Sequence, residues 1–448
     1  MLAARGTPAS MGGRAPSGTP TRCPHRGGTD AVAGRRRSWL ALWVCVVSSA
    51  LAGCPRPSPA PTGASAAPAR VIWCSSDGRG RAYIDVAQRR DSRGSLYVYE
   101  VGGALTAVSG RPAFWSYAGA DLGTGYPMVT ASRAGLSRDV FLLRPDGTTD
   151  LIAHGPFQTV VASPGGAEAA LIARASGTQG VAGIMRPDGR GKRWQPTMWQ
   201  WPDVRPLELH WTQAGDLLVT TVPASGPPGP CTLSLVDSQT GSREDLLTYD
   251  GAVPYVCSPS AGDPHCVFVL TSPEGRTGST QEVQRLYVVD AQAAGAEHLA
   301  SGRFSTCLPS PDGGSVVLAR YAEVPDHLVV PDRRGGTGSR LRSRICVLDV
   351  GERNVSDLTT GEYVDMPFGF LDAHDFTYTR ADGGRVSVRA CGIDGARDRQ
   401  LAPPESGEIR GAEMIGGEIV YVLETDAGVC LYALSAVEGR PRLIKQWR

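Results

Sequence analysis

An all-β fold, assembled from repeated four-stranded antiparallel units, is predicted by three observations. From Val71 onward, no long segment carries apolar residues at the helical period. Short apolar or alternating runs recur instead, separated by Gly, Pro and Asp, and they group into repeats of roughly 40–55 residues. The 448-residue chain holds 56 Gly and 34 Pro, together far outnumbering its aromatics, as many tight turns require.

Within a repeat, the first hairpin shows best in three segments. Ser163-Pro164-Gly165-Gly166 leads into Ala169-Ala170-Leu171-Ile172-Ala173-Arg174. Ser310-Pro311-Asp312-Gly313-Gly314 leads into Val316-Val317-Leu318-Ala319-Arg320, and Leu371-Asp372-Ala373-His374-Asp375 into Phe376-Thr377-Tyr378-Thr379-Arg380. The third strand reads clearly in Ser95–Glu100, Asp139–Arg144, Arg285–Asp290, Ile345–Asp349 and Cys430–Leu434. Turns such as Pro145-Asp146-Gly147 and Pro187-Asp188-Gly189 follow it. Proline presets φ, Asp caps the turn with its carboxylate, and Gly takes the positive φ. A short fourth strand, as in Asp150–Ala153 or Ser356–Thr359, closes the unit.

One such sheet cannot bury both its faces, whereas neighbours set in a ring cover both. The expected architecture is therefore a single β-propeller over residues 71–448. Its units fall near 71–110, 111–155, 156–197, 198–251, 252–302, 303–361, 362–407 and 408–447. Eight four-stranded antiparallel blades are favoured, with seven as the alternative. The Ser-Pro-Asp-Gly-Gly turn at 310–314 and the Pro-Asp-Gly turns after third strands resemble the repeats of TolB-type propellers. They are similar too to WD-repeat-like propellers and to those that precede prolyl-oligopeptidase domains. That resemblance implies a fold; binding scaffolds, protease gates and a few lyases share it, so it names no function.

Ahead of the repeats, Arg35-Arg36-Arg37 precede an apolar run from Trp39 to Ala52. A run of about 14 residues is too short to span a bilayer and reads as a signal peptide. It ends in Leu51-Ala52-Gly53-Cys54, which resembles the bacterial lipobox. The resemblance implies cleavage before Cys54 and lipidation of its thiol. Residues 1–53 are read as leader and signal peptide, with translation beginning after residue 34 or those residues discarded. Residues 54–70, rich in Pro, Ala and Gly, read as a tether. The protein is expected to be exported and lipid-anchored to the bacterial cell envelope, facing the periplasm or the cell surface.

Cys23 and Cys45 lie in the leader, leaving Cys74, Cys231, Cys257, Cys266, Cys307, Cys346, Cys391 and Cys430 in the folded part. An even number in an oxidising compartment permits disulfides. Cys257 and Cys266, at the two ends of one predicted hairpin, are the expected pair; the other six read as small buried apolar residues. No Cys-x-x-Cys spacing points to structural zinc. His154, His210, His265, His298, His327 and His374 are scattered over five units, so neither a metal nor a cofactor is expected. Asp372-Ala373-His374-Asp375 looks like a ligand cluster but fills the slot of a turn. Nucleophile-elbow and phosphate-loop motifs are missing, and no hydrolase domain is expected after the last repeat.

The formal net charge of +1 gives no drive toward nucleic acid. Connections between second and third strands are the long ones: Arg89–Gly94, Pro223–Pro230, Ser272–Gln284 and Ala322–Ser343, the last three from consecutive units. The longest carries Arg333, Arg334, Arg340 and Arg342. One reading is a binding face for an anionic glycan, a peptide or an envelope protein; the other is a solvated insertion with incidental arginines. A monomeric, non-catalytic, lipid-anchored scaffold for protein interaction or ligand binding is the expected function. The alternative is a propeller-class enzyme, such as a polysaccharide lyase or lactonase, acting at the axial mouth. Cys54→Ala should abolish incorporation of labelled palmitate and leave an uncleaved precursor; lipid labelling of the variant at the wild-type level would refute the anchor.

Overall fold

The computed structural model describes residues 69–76, 80–87, 94–108, 113–120, 126–132, 137–174, 180–188, 193–225, 229–272, 283–322, 342–435 and 439–448. Cys54, His327, Arg333, Arg334 and Arg340 lie outside these. Among the described residues, no helix is long and apolar enough to cross a membrane.

The strands come in groups of four, each an antiparallel meander. The first group is β1 Arg70–Ser76, β2 Arg81–Ala87, β3 Ser95–Glu100 and β4 Leu105–Ala107. The second is β5 Phe114–Ala120, β6 Pro127–Ser132, β7 Arg138–Leu143 and β8 Thr149–Gly155. The third is β9 Phe157–Ala162, β10 Ala169–Arg174, β11 Gly180–Pro187 and β12 Trp194–Met198. The fourth is β13 Val204–Trp211, β14 Leu217–Pro223, β15 Cys231–Val236 and β16 Arg243–Tyr249. The fifth is β17 Ala252–Cys257, β18 Cys266–Ser272, β19 Gln284–Asp290 and β20 Gly295–Gly302.

In the sixth group β21 Phe304–Pro309, β22 Ser315–Ala322 and β23 Arg342–Asp349 are followed by β24 Asn354–Asp357. The seventh has β25 Val364–Phe370, β26 Asp375–Asp382 and β27 Arg385–Gly392, with short β28 Arg399–Gln400 and β29 Glu405–Ser406 both on β27. The last is β30 Glu408–Ile415, β31 Glu418–Thr425, β32 Gly428–Ser435 and β33 Pro441–Trp447. A single parallel bridge, Ser343 to Val364, merges the sixth and seventh groups into one nine-stranded sheet. No group crosses a predicted repeat boundary by more than one residue, although β13 starts six residues after its boundary at 198.

Inner strands are apolar on both faces, and the alternation sends successive side chains to opposite neighbours. On β10, Ala169, Leu171 and Ala173 pack with Met128 and Val140 of the second group. Ala170 and Ile172 pack with Leu209 and Leu217 of the fourth. On β14, Leu217 and Val219 face back to the third group, while Leu218 faces Val267 and Val269 of the fifth. Similar clusters join the fifth group to the sixth through Phe268 and Val316, and the sixth to the seventh through Val317 and Phe376. Val388 meets Ile419, Tyr83 meets Val129, and Val71, Ile84 and Val86 meet Val420 and Val422. That last cluster brings the final group against the first. Burying one such Leu or Val contributes roughly 1.5–3 kcal/mol, so the shared faces outweigh every polar contact between sheets.

The first strands also touch in sequence: β1 lies beside β5, β5 beside β9, and so on through β13, β17, β21, β25 and β30 back to β1. They form a hub. Each is the edge strand of its sheet except β25, which meets β23 at the one parallel bridge, and each carries a register shift, for example between Pro206 and Glu208, Phe304 and Thr306, and Ile409 and Gly411. A bulge adds bend and twist, which an innermost strand of a strongly twisted sheet needs. Pro206, Pro254 and Pro367 lie on these strands, where a missing N–H breaks no second ladder. Crowding is severe at Gly119, where a Cβ would come within 2.4 Å of the Ala162 Cβ.

No ladder joins the last described sheet to the first. Side chains close the ring instead. Tyr99 on β3 donates to Glu418 on β31 at 2.9 Å and accepts from Arg442 on β33 at 3.0 Å. Tyr97 packs edge-on against Trp447 at 5.0 Å. One carboxylate is placed less well: Asp85 on β2 is 0 % exposed, and its Oδ1 has no hydrogen-bond partner. Burial pushes its carboxyl up to about 7, despite the backbone N–H of Trp115. Tyr99→Phe keeps the ring packing but leaves the buried side of Glu418 without its donor. It should lower unfolding stability by about 1–2 kcal/mol in urea; an unchanged midpoint would show that the clasp contributes nothing.

Candidate functional site

The hub concentrates the polar groups that first strands carry. Glu208 and His210 stand two residues apart on β13, hence on one face of that strand. Next to it β17 brings Tyr255 and Cys257, and β21 brings Ser305 and Cys307. Across the hub, β30 contributes Glu413. Sequence position gives no hint that these groups meet; the ring of first strands does that.

Their surroundings set their protonation. Burial pushes the Glu208 carboxyl up to about 7 and the His210 imidazole down to about 4. His210 Nε2 lies 3.2 Å from the Ser258 hydroxyl. At neutral pH His210 is therefore neutral and a weak base, while Glu208 titrates in the range where a general acid or base works. Tyr255 is held well above its ordinary value, first by burial, then by the fields of Cys257, Cys307 and Glu413. Glu413 sits three groups away in sequence, so its influence on Tyr255 crosses the hub.

The other sequence-singled residues fall elsewhere. His265 and His374 occupy turns after first strands, and His154 and His298 lie on fourth strands, as expected. His154 pairs with Asp139 at 2.6 Å, and His265 with Asp216 at 2.7 Å. The Asp372 carboxylate accepts the backbone N–H groups of His374 and Asp375, which makes that segment a capped turn. Arg342 is the first residue of β23, opposite Ala322, because the β22–β23 ladder runs further than expected; it is half-buried. The connector itself lies outside the described residues.

The expected Cys257–Cys266 disulfide is corrected by the register. Cys257 stands opposite Phe268, and Cys266 pairs with Asp290 on β19. Both thiols are free, and the Cys257 sulfur lies 3.2 Å from that of Cys307 on the neighbouring sheet. A hairpin drawn from sequence assumed equal arms; the turn from Ser258 to His265 is long and shifts the register by two residues.

Among the described residues, one group of metal-ligand type comes together: Asp263, Cys266 and Asp290, with ligand atoms within 4.8 Å of one another. Each carboxylate already caps a turn, Asp263 accepting from His265 and Asp290 from Gln292 and Ala293. Burial, with Asp263 and Asp290 adding, pushes the Cys266 thiol up to about 11, which opposes a thiolate ligand.

No family model matches the chain, and no curated protein does. Solved structures do. A prolyl endopeptidase described with its inter-domain dynamics is 13% identical, with a TM-score of 0.51 over 82% of this chain and 54% of that one. An oligogalacturonate lyase in complex with manganese is 12% identical, with a TM-score of 0.47 over 83% and 97%. A TolB-like protein from Agrobacterium tumefaciens is 14% identical, with a TM-score of 0.34 over 56% and 84%. This chain thus spans about half the length of the endopeptidase. The likeness to the endopeptidase, at a TM-score above 0.5, shows the all-β propeller fold and no particular type of propeller. A shared fold at this identity does not name a function.

Glu208→Gln tests the hub electrostatics. A carboxyl raised in the folded state contributes stability below its unfolded value of 4.5 and loses it as pH rises through about 7. The glutamine variant should therefore gain on wild type from pH 5 to pH 8, by about 1–2 kcal/mol in urea unfolding. His210, held low, works the other way and weakens the fold on acidification. A difference between the proteins that stays constant with pH would show that Glu208 is not desolvated.

Proposed function

We propose that the protein is an exported, lipid-anchored propeller of eight blades, of TolB type, that works as a binding scaffold in the cell envelope. Its leader and signal peptide would end at Gly53, its tether at residue 70, and its propeller would occupy 71–448. Partners of this reading are the membrane, through Cys54, and an envelope protein, a peptide or an anionic glycan held by a monomer. The observation that carries it is the placement of the long connections. They follow β14, β18 and β22, the second strands of three consecutive groups, and the ends of these equivalent strands are turned the same way. Loops on a rigid ring are where recognition concentrates. Arg333, Arg334 and Arg340 in the longest connection, with Arg342 at its root, would offer bidentate donors to carboxylate or phosphate.

A second reading, an enzyme of the lyase or lactonase kind acting at the axial mouth, draws support from Glu208 and His210. The raised Glu208 carboxyl suits proton transfer near neutral pH, with His210 on the same strand face as a neutral hydrogen-bonding group. The two readings separate by experiment. Replacing residues 323–341 with a short Gly-Ser linker should cut recovery of envelope partners in a pull-down at least fivefold, whereas Glu208→Gln should leave it unchanged. Equal recovery from the linker variant would overturn the binding face. Loss of recovery only with Glu208→Gln would move the site to the hub.

A further inference from the structure

We infer that Cys257 and Cys307 are a disulfide-forming pair that staples two neighbouring blades at the hub. Cys257 is the last residue of β17 and Cys307 lies midway along β21, first strands of the fifth and sixth groups. These strands lie side by side without a ladder between them. Side chains around Phe268, Leu270, Phe304 and Val316 hold the two sheets together, with a backbone hydrogen bond from Ala261 to Pro311 between the adjoining turns. The two sulfurs are 3.2 Å apart. A disulfide needs about 2.05 Å, so the sulfurs have only about 1 Å to close, which side-chain rotation can supply. No other pair of described thiols is placed this way: Cys231, Cys346 and Cys391 each point a sulfur at a backbone carbonyl of their own group.

The inference rests on the exported reading only for where oxidation would happen; the pairing itself rests on geometry. The balanced step is thiol–disulfide exchange with a disulfide-bearing oxidant, a dithiol oxidoreductase or oxidised glutathione. Cys257 is half-buried and Cys307 is 1% exposed, so Cys257 reacts first. Its thiolate attacks one oxidant sulfur and expels the other as a thiolate. The Cys307 thiolate then displaces the remaining oxidant sulfur from the mixed disulfide. One disulfide is broken and one made; the two protons leave with the two released thiols, and two electrons pass to the oxidant. The hydrogen bond with Cys257, then burial, keep the Cys307 thiol protonated, so exchange is slow in both directions, and a bond once made resists reductant. The bond would close a loop of 50 residues and constrain the unfolded chain accordingly.

The pair joins the two sheets whose second-to-third connections are longest, 273–283 and 323–341, and so would fix the spacing of the proposed binding face. The test uses the full chain purified under reducing conditions, exposed to oxidised glutathione at pH 8 while folded, then blocked with N-ethylmaleimide and mapped by peptide mass. A cross-linked Cys257–Cys307 peptide pair is expected, together with a rise in Tm of about 5 °C that dithiothreitol reverses. In Cys307→Ala, Cys257 should instead retain glutathione. Both cysteines alkylated after prolonged oxidation, or Cys257 joined to Cys266, would overturn the inference. Alkylating intact cells separates the two readings: a bond that forms in the purified protein but never in cells would count against export and leave the pairing standing.

Discussion

Everything in this fold depends on sheets lending one another a buried face. A strand such as β14, with Leu217, Leu218 and Val219 in succession, has no side that could face water. Alone, its meander would expose one apolar face or the other. Placed between β10 on one side and β18 on the other, all three residues are dry. The same arithmetic repeats around the chain and closes when Val71, Ile84 and Val86 meet Val420 and Val422. The clasp of Tyr99, Glu418 and Arg442 orients that closure, but a hydrogen bond contributes about 1 kcal/mol net, far below the apolar contacts beside it.

Ringing solves the faces and leaves one edge to manage. Each first strand turns an unpaired row of N–H and C=O groups toward the hub. The chain meets this with bulges in every first strand and with prolines on four of them. It also meets it with polar side chains: Glu208, His210, Ser305 and Glu413. These groups are neither in bulk water nor in a dry core, which is why the Glu208 carboxyl rises and the His210 imidazole falls. A half-buried hub of this kind is a ready place for chemistry, and equally a simple consequence of having strand edges to wet.

Two parts of the molecule therefore compete for the functional role, and they differ in physical character. The hub sets its groups on adjoining first strands. The proposed binding face instead depends on connections that differ in length, the longest of which holds Arg333, Arg334 and Arg340. Cys257 and Cys307 link the two, since they sit in the hub yet belong to the sheets that carry the longest connections. A staple there would act on the face through the scaffold, by holding two sheets at one spacing.

The sequence by itself determined the strands, the turns and the repeat. Those features are local: alternation sets a strand, Pro-Asp-Gly sets a turn, and Ser163–Gly166 and Ser310–Gly314 set the first hairpins that β9–β10 and β21–β22 display. Central strands were readable for the same reason, because both faces are apolar. Register was not, since a two-residue slip such as the one that separates Cys257 from Cys266 depends on the long turn between them. Nor was the hub, where Glu208, Tyr255, Cys307 and Glu413 come from four different groups. Their meeting is decided by the closure of the ring, a non-local event that no window along the chain can see. Pro206 before Glu208 and Pro254 before Tyr255 were the faint signals available, since a proline inside an apolar run marks an edge strand.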